Sequence, residues 1–214
     1  VDFTALAEAG IRPSNKHRQV GDYQLETLLG EGDSYQDWQA AHIGFDNVKR
    51  RVRIYPIAKA SSAEVRANSV RQARREFEVL EGIDHAGILR CRDYKDSELG
   101  PALIFDHDPR ALRLDHFMRE HGATLDVGDR LQLVREIAEI LQYAHSKQLY
   151  HRALAPQSVL VRGVGTRQLA VQLMNWQTAA RNAGTAETLF HTTGTLHVDA
   201  YVDDPNLVYL APET

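Results

Sequence analysis

The apolar residues of this chain change their period part-way along it, and that change limits the folds open to it. Between residues 23 and 55 three short runs read as strands. Leu25, Leu28 and Leu29 lie in the first, residues 35–41 make the second, and residues 52–57, with the β-branched Val52, Ile54 and Ile57, make the third. Gly30 and Gly32 punctuate the first turn, so this stretch predicts an antiparallel meander. Ser61 and Ser62 then precede Glu64 as a helix cap, and Val65, Val70, Phe77, Leu80 and Ile83 follow at roughly helical spacing. Strand-like runs return at residues 88–94 and 102–105 before Asp106-His107-Asp108-Pro109 breaks the pattern. Beyond that break the chain reads as mainly helical, most clearly over residues 129–145. There Leu131, Val134, Ile137, Ala138, Leu141 and Ala144 recur at threes and fours, a stripe expected to face a core while Arg130, Arg135, Glu136 and Glu139 stay in water. Sheet first and helices second predicts an α+β architecture of two lobes, with the break at residues 106–109.

Composition narrows the function classes. The 214 residues are 43% hydrophobic and 25% charged, which is globular and excludes a solvated low-complexity chain. A net charge of −4 excludes a uniformly basic nucleic-acid coat. The charge is nonetheless segregated: residues 49–75 hold nine Lys or Arg against one acid, Glu64. Contact with nucleic acid through Arg66, Arg71, Arg74 and Arg75 is one reading of that segment. A solvated helix face is the simpler one, because Tyr55 is the only aromatic among those cations. One cysteine, Cys91, allows neither an internal disulfide nor a CxxC zinc site and fits a reducing, cytoplasmic setting. No histidine spacing matches a metal motif, so no metal is expected, and Asp106-His107-Asp108 reads as a polar loop. No apolar run is long enough to cross a bilayer, and the first residues lack the pattern of a signal peptide. A chain that begins with Val1 is expected to be a processed product or a piece of something longer.

The most specific wording follows the long helix: LYHRALAPQSVLVRG, then LAVQLMNWQTAA, and YLAPE at the end. With a glycine loop after the first strand, a third strand, an acid-bearing helix and the turn GIDHAGIL, these elements stand in the order of the protein kinase family, which the chain resembles over residues 23–213. The resemblance implies a bilobal fold. Residues 1–22 would be an extension or linker, 23–105 the smaller lobe, and 106–214 a larger lobe cut short after the activation segment.

Phosphoryl transfer needs a cation on the phosphates, acids to hold magnesium and a carboxylate near the incoming hydroxyl. Matched position by position, the chain departs from all three. The strand-three lysine falls on Tyr55, although the helix acid is present as Glu76. In the catalytic loop the aspartate falls on Ala153, the following lysine on Ala155 and the magnesium-binding asparagine on Ser158, while His151 and Arg152 remain. Asp-Phe-Gly reads Asn175-Trp176-Gln177, and the third glycine of the loop that begins with Gly30 and Gly32 falls on Tyr35. Lys59, Asp46 and Asp106 lie nearby but off the strand phase or loop offset required.

Two further positions lie where the family keeps small or apolar residues around adenine. They are Arg53 and Asp37, and a cross-strand salt bridge between them would plug the slot; the alternative leaves both in solvent. Leu80, His151 and Trp176 match the apolar column joining the family's lobes, and Phe105 matches the residue at the back of its pocket. Thr192, Thr193 and Thr195 fall in the segment where kinases carry regulatory phosphates that bind the loop arginine, here Arg152, and Glu213 closes the Ala211-Pro212-Glu213 motif.

The expectation is therefore a catalytically degenerate member acting as a scaffold or regulatory interaction module, with no cofactor. Its partners would be other domains or subunits of a larger protein. The loop wording is similar to kinase-like modules of large bacterial multidomain proteins of the BREX type in phage defence. The alternatives are a noncanonical serine/threonine kinase that still binds ATP and a nucleic-acid contact through residues 49–75.

Overall fold

The computed structural model describes residues 18–32, 34–58, 60–163 and 168–181. The chain divides into two compact units, one from residues up to Phe77 together with Cys91–His107, the other from Glu78–Arg90 and the residues from Asp108 onward. The fold class is α+β.

In the first unit six strands form one antiparallel sheet: β1 (Gln19–Val20), β2 (Tyr23–Glu31), β3 (Gln36–His42), β4 (Phe45–Ile54), β5 (Cys91–Lys95) and β6 (Ala102–Phe105), in the spatial order β1-β2-β3-β4-β6-β5. The short β1 lies in the stretch that the sequence reading leaves as an extension. The strand expected from residue 52 begins earlier, at Phe45. Its first seven residues, FDNVKRR, are too polar to announce a strand, and pairing with β3 forms this part. Alternate side chains of a strand leave on opposite faces. Val20, Leu25, Trp38, Ala40, Val52, Ile54, Ala102 and Ile104 accordingly gather in one core. The intervening Asp37, Arg51, Arg53, Leu103 and Phe105 are buried as well.

Helix α1 (Ala63–Leu80) opens where Ser62 Oγ accepts the Val65 N–H at 3.3 Å, as a capping serine does. It ends before the expected Ile83, because Gly82 just beyond it takes φ +71°. At Gly100 the backbone requires glycine outright. Its φ is +130°, and a Cβ there would run into the carbonyl oxygen of Tyr55. This approach lets Tyr55 N–H donate to Pro101 O and Ile57 N–H to Leu99 O, both at 2.9 Å, which fixes the chain as it leaves β4.

The second unit contains α2 (Leu114–His121) and α3 (Val127–Ser146), a three-stranded sheet and a two-stranded one. The first sheet orders β10 (Ala170–Leu173), β9 (Val159–Arg162) and β7 (Leu112–Arg113); the second pairs β11 (Ala180–Arg181) with β8 (Leu149–Tyr150). A reciprocal pair of hydrogen bonds between Asp126 and Asp129 caps α3.

The buried face of α3 matches the expected stripe only in part. Ala144 is buried and Ile137 and Leu141 are half-buried as expected, but Leu131 and Val134 are 64% and 63% exposed, Ala138 is exposed too, and Leu133 and Ile140 are buried in their place. Both sets recur at helical spacing, so periodicity permits either. Glu136, expected in water, is half-buried, and its Oε2 accepts the Val171 N–H of β10 at 3.0 Å. An edge strand needs partners for its outward backbone, and the helix face that supplies one is turned inward. Farther along β10, Leu173 donates to Gly87 O at 2.7 Å and accepts from Leu89 N–H at 2.9 Å. Among the described residues no helix is long and apolar enough to cross a membrane.

Candidate functional site

Asp37 on β3 and Arg53 on β4 are direct partners in the strand register, so their side chains leave the sheet on one face. The guanidinium meets the carboxylate through two bonds, Nε to Oδ1 at 2.7 Å and Nη2 to Oδ2 at 2.8 Å. Arg51, two residues back on the same face, adds Nη1 to Oδ2 at 2.9 Å. The other arm of Arg53 reaches α1, where Nη1 donates to Glu76 Oε1 at 2.9 Å. Tyr55, two residues on, donates its hydroxyl to Glu76 Oε2 at 2.6 Å. Arg53, Asp37 and Glu76 are 1%, 2% and 0% exposed. Two guanidiniums thus face two carboxylates out of water, the condition under which buried charge is tolerated.

Electrostatics follow the geometry. Burial pushes the Asp37 carboxyl up, but the Arg53 charge, its hydrogen bonds and Arg51 outweigh it and hold the group below the usual carboxylate range. Burial opposes the charge on Arg53, and Asp37 and Glu76 more than restore it, so the guanidinium stays protonated. Desolvation and the adjoining Glu76 drive the Tyr55 phenol well above its ordinary value, which keeps its proton in the bond to Glu76. Desolvation and Glu76 likewise push the Cys91 thiol up to about 12, leaving it inert.

The glycine turn enters the same cluster. Gly32 N–H donates to Tyr35 O at 3.0 Å, closing the turn on itself. The Tyr35 ring lies over the Arg53 guanidinium, 4.0 Å from centroid to carbon, with the Phe105 ring at 5.8 Å. Gly30 sits opposite Asp37 in the register. Tyr35, Asp37, Arg53, Tyr55, Glu76 and Phe105 are therefore brought together. Sequence reasoning anticipates the Arg53–Asp37 pair and misses the bond from Arg53 to Glu76, treating the helix acid as having lost its partner. The signal for it was present: positions 53 and 55 share a face of one strand, so a long cation at 53 can reach what a lysine at 55 would reach.

The cations of segment 49–75 divide between the buried cluster and the surface. Arg51 and Arg53 are buried in the cluster, Lys49 pairs with Glu26 at 2.9 Å, and Arg50 lies 4.0 Å from Asp106. Arg66, Arg71 and Arg74 are exposed on α1, and Lys59 lies outside the described residues.

In the second unit His151 is buried, and its Nε2 donates to Met174 O at 2.8 Å, with the ring 4.6 Å from Trp176. Desolvation lowers its pKa to about 4, so the imidazole is neutral. Arg152 follows with φ +67°. Ala153 and Ala155 offer polar contacts only through backbone: Ser158 N–H donates to Ala155 O at 2.8 Å, and Ser158 Oγ to Ala153 O at 3.4 Å. Asn175 adopts φ +65°, a left-handed conformation that asparagine tolerates, and its amide donates to Gln157 O at 3.2 Å. A carboxylate at position 175 could not make that bond. Leu80 and Trp176 are buried.

These two loops do not suit a magnesium ion. Residues 140–186 contain no Asp or Glu at all, so no shift of alignment within them supplies an acid. Among the described residues no cluster of His, Cys, Asp or Glu could hold a metal. Thr192, Thr193, Thr195 and Glu213 lie outside the described residues.

Comparison with known proteins identifies the family. A profile described as protein tyrosine and serine/threonine kinase matches residues 23–180. The Probable kinase PglW of Streptomyces coelicolor is 37% identical over 98% of this chain, which spans 15% of PglW's length. Aurora kinase B of Danio rerio is 25% identical over 75% of the chain, and that of Xenopus tropicalis 26% over 78%; the matches span 48% and 43% of those proteins.

Proposed function

We infer that this chain, which belongs to the protein tyrosine and serine/threonine kinase family, has kept that family's fold as a shape and given up phosphoryl transfer. In this reading it is a pseudokinase module. The observation that carries it is the buried Asp37–Arg53–Glu76 cluster with Tyr55 and Tyr35. A side chain of the protein stands where the resemblance puts the adenine slot, and it already neutralises the helix acid. The lack of any carboxylate in residues 140–186 supports the same reading, because neither loop carries the acids that hold magnesium and take up the hydroxyl proton in phosphoryl transfer.

The role that remains is assembly. The chain spans a small part of PglW, so the partners we propose are other domains or subunits of a larger bacterial protein, of the phage-defence kind that the loop wording resembles. A cytoplasmic location fits the single, inert Cys91. The test is thermal denaturation of the chain with and without millimolar ATP and magnesium. A ligand that binds the folded state raises its melting temperature by mass action. No shift is expected; a rise of several degrees overturns the reading in favour of a kinase that retains nucleotide.

A further inference from the structure

Three separate pieces of backbone converge on one guanidinium. The turn between β2 and β3 contributes the Tyr35 ring at 4.0 Å. Strand β3 contributes Asp37 through two bonds of 2.7 and 2.8 Å, and helix α1 contributes Glu76 at 2.9 Å. All of these belong to one compact unit. In water such contacts are weak and independent. Here Arg53 is 1% exposed, so moving any one partner leaves the charge less well compensated at the others.

We propose that Arg53 couples the glycine turn to helix α1, so that opening the turn loosens the helix around Glu76 with no ligand bound. Arg53 does internally what a bound ligand would do from outside: it makes the position of a loop and the position of a helix depend on each other. The turn is the low-stability partner. It is short, its described residues Gly32, Ser34 and Tyr35 are half-buried, and it is closed by the Gly32 to Tyr35 bond together with the ring lying on the cation. The proposal concerns the same cluster as the functional reading above. Its test contains no nucleotide, so it can fail while the thermal result stands, and the reverse.

The test is hydrogen exchange by mass spectrometry on the whole chain, following peptides over the β2–β3 turn, over residues 70–77 of α1, and over β6 as a reference. Tyr35→Leu removes the π face, and Tyr35→Phe keeps it. Loss of a desolvated cation–π contact is expected to speed exchange of the turn by roughly three- to thirty-fold. The coupling predicts at least roughly threefold faster exchange of residues 70–77 as well, with β6 unchanged and Tyr35→Phe close to the parent. In the combined variant Arg53→Met, Asp37→Asn, Glu76→Gln, adding Tyr35→Leu is expected to affect the turn alone. The proposal is overturned if Tyr35→Leu speeds the turn and leaves residues 70–77 unchanged in the parent chain. Equal acceleration of β6, or the same helix effect from Tyr35→Phe, overturns it too. Should the combined variant not fold, the contrast between Tyr35→Leu and Tyr35→Phe decides the matter alone.

Discussion

Arg53 and Glu76, one on a strand and one on a helix, meet at 2.9 Å with both side chains 1% exposed. A pair so deep adds little net stability relative to a well-packed apolar pair, but it is costly to break from one side. Arg53→Met leaves Asp37 and Glu76 buried without their shared cation, and a loss of about 3–5 kcal/mol is expected in urea denaturation. Adding Asp37→Asn and Glu76→Gln is expected to recover a large part of it. A single Arg53→Met variant as stable as the parent would show that the cluster does not bear on folding. Tyr55→Phe, which removes one hydrogen bond to a charged acceptor, is expected to cost about 1.5–3 kcal/mol.

His151 makes stability depend on pH in a defined window. Its pKa is lowered to about 4 in the folded chain by burial, against about 6.5 when unfolded. Between those values the unfolded state binds a proton that the folded state refuses, so stability is complete above about pH 6.5 and falls as pH drops towards 4. The loss accumulates to about 3 kcal/mol. Asp37 acts in the same direction but at lower pH, because its pKa is itself depressed. Urea melts at pH 7, 6, 5 and 4.5 check this, with His151→Phe expected to flatten the curve between pH 6.5 and 4.5.

Gly100→Ala tests how the end of β4 is set. The glycine stands at φ +130° with no room for a Cβ beside the carbonyl of Tyr55. Backbone strain alone is worth about 1–3 kcal/mol, and the displaced 97–101 turn is expected to weaken the hydrogen bonds of Tyr55 and Ile57 to it. Unchanged stability, measured by thermal melting, would count against the role of this approach in placing Tyr55.

Helix α3 offers a contrast between two leucines separated by one residue. Leu133 is buried and Leu131 exposed, so Leu133→Ala is expected to cost about 2–5 kcal/mol. Leu131→Ala, in the same chain, is expected to stay within about 0.5 kcal/mol. Equal costs would mean that the helix buries the other face.

That helix also shows where a linear reading stops. Residues 131, 134 and 138 and residues 133, 137, 140 and 144 make two apolar stripes of the same period. What separates them is a backbone amide on β10 that needs Glu136, a fact of tertiary structure. The order of strands and helices up to β6 was legible, from the unbroken apolar run of β6 and the helical spacing in α1, and the family could be read from motif order, whereas the two-residue strands β7, β8 and β11 are too short to show a period in a stretch that reads as mainly helical. The first seven residues of β4 were not legible, since FDNVKRR owes its strand to β3 alongside. In the cluster, the cross-strand pair Asp37–Arg53 could be inferred from strand phase, because neighbouring strands share a face. The bond to Glu76 required knowing how α1 lies against the sheet, and the pairing of Lys49 and Arg50 within the basic segment required knowing that Glu26 and Asp106 sit across from them.

The way β10 is finished has a consequence for recognition. Many domains recruit partners by offering the outer rim of a sheet, to which an extended peptide adds itself as one more strand. On β10 that invitation is withdrawn: the amides of Val171 and Leu173 and the carbonyl of Leu173 already have acceptors and donors from the same chain. A partner that met this flank would therefore have to read side chains, which would make recognition there a matter of surface identity that point mutations can redirect, and not of backbone that any extended sequence could satisfy.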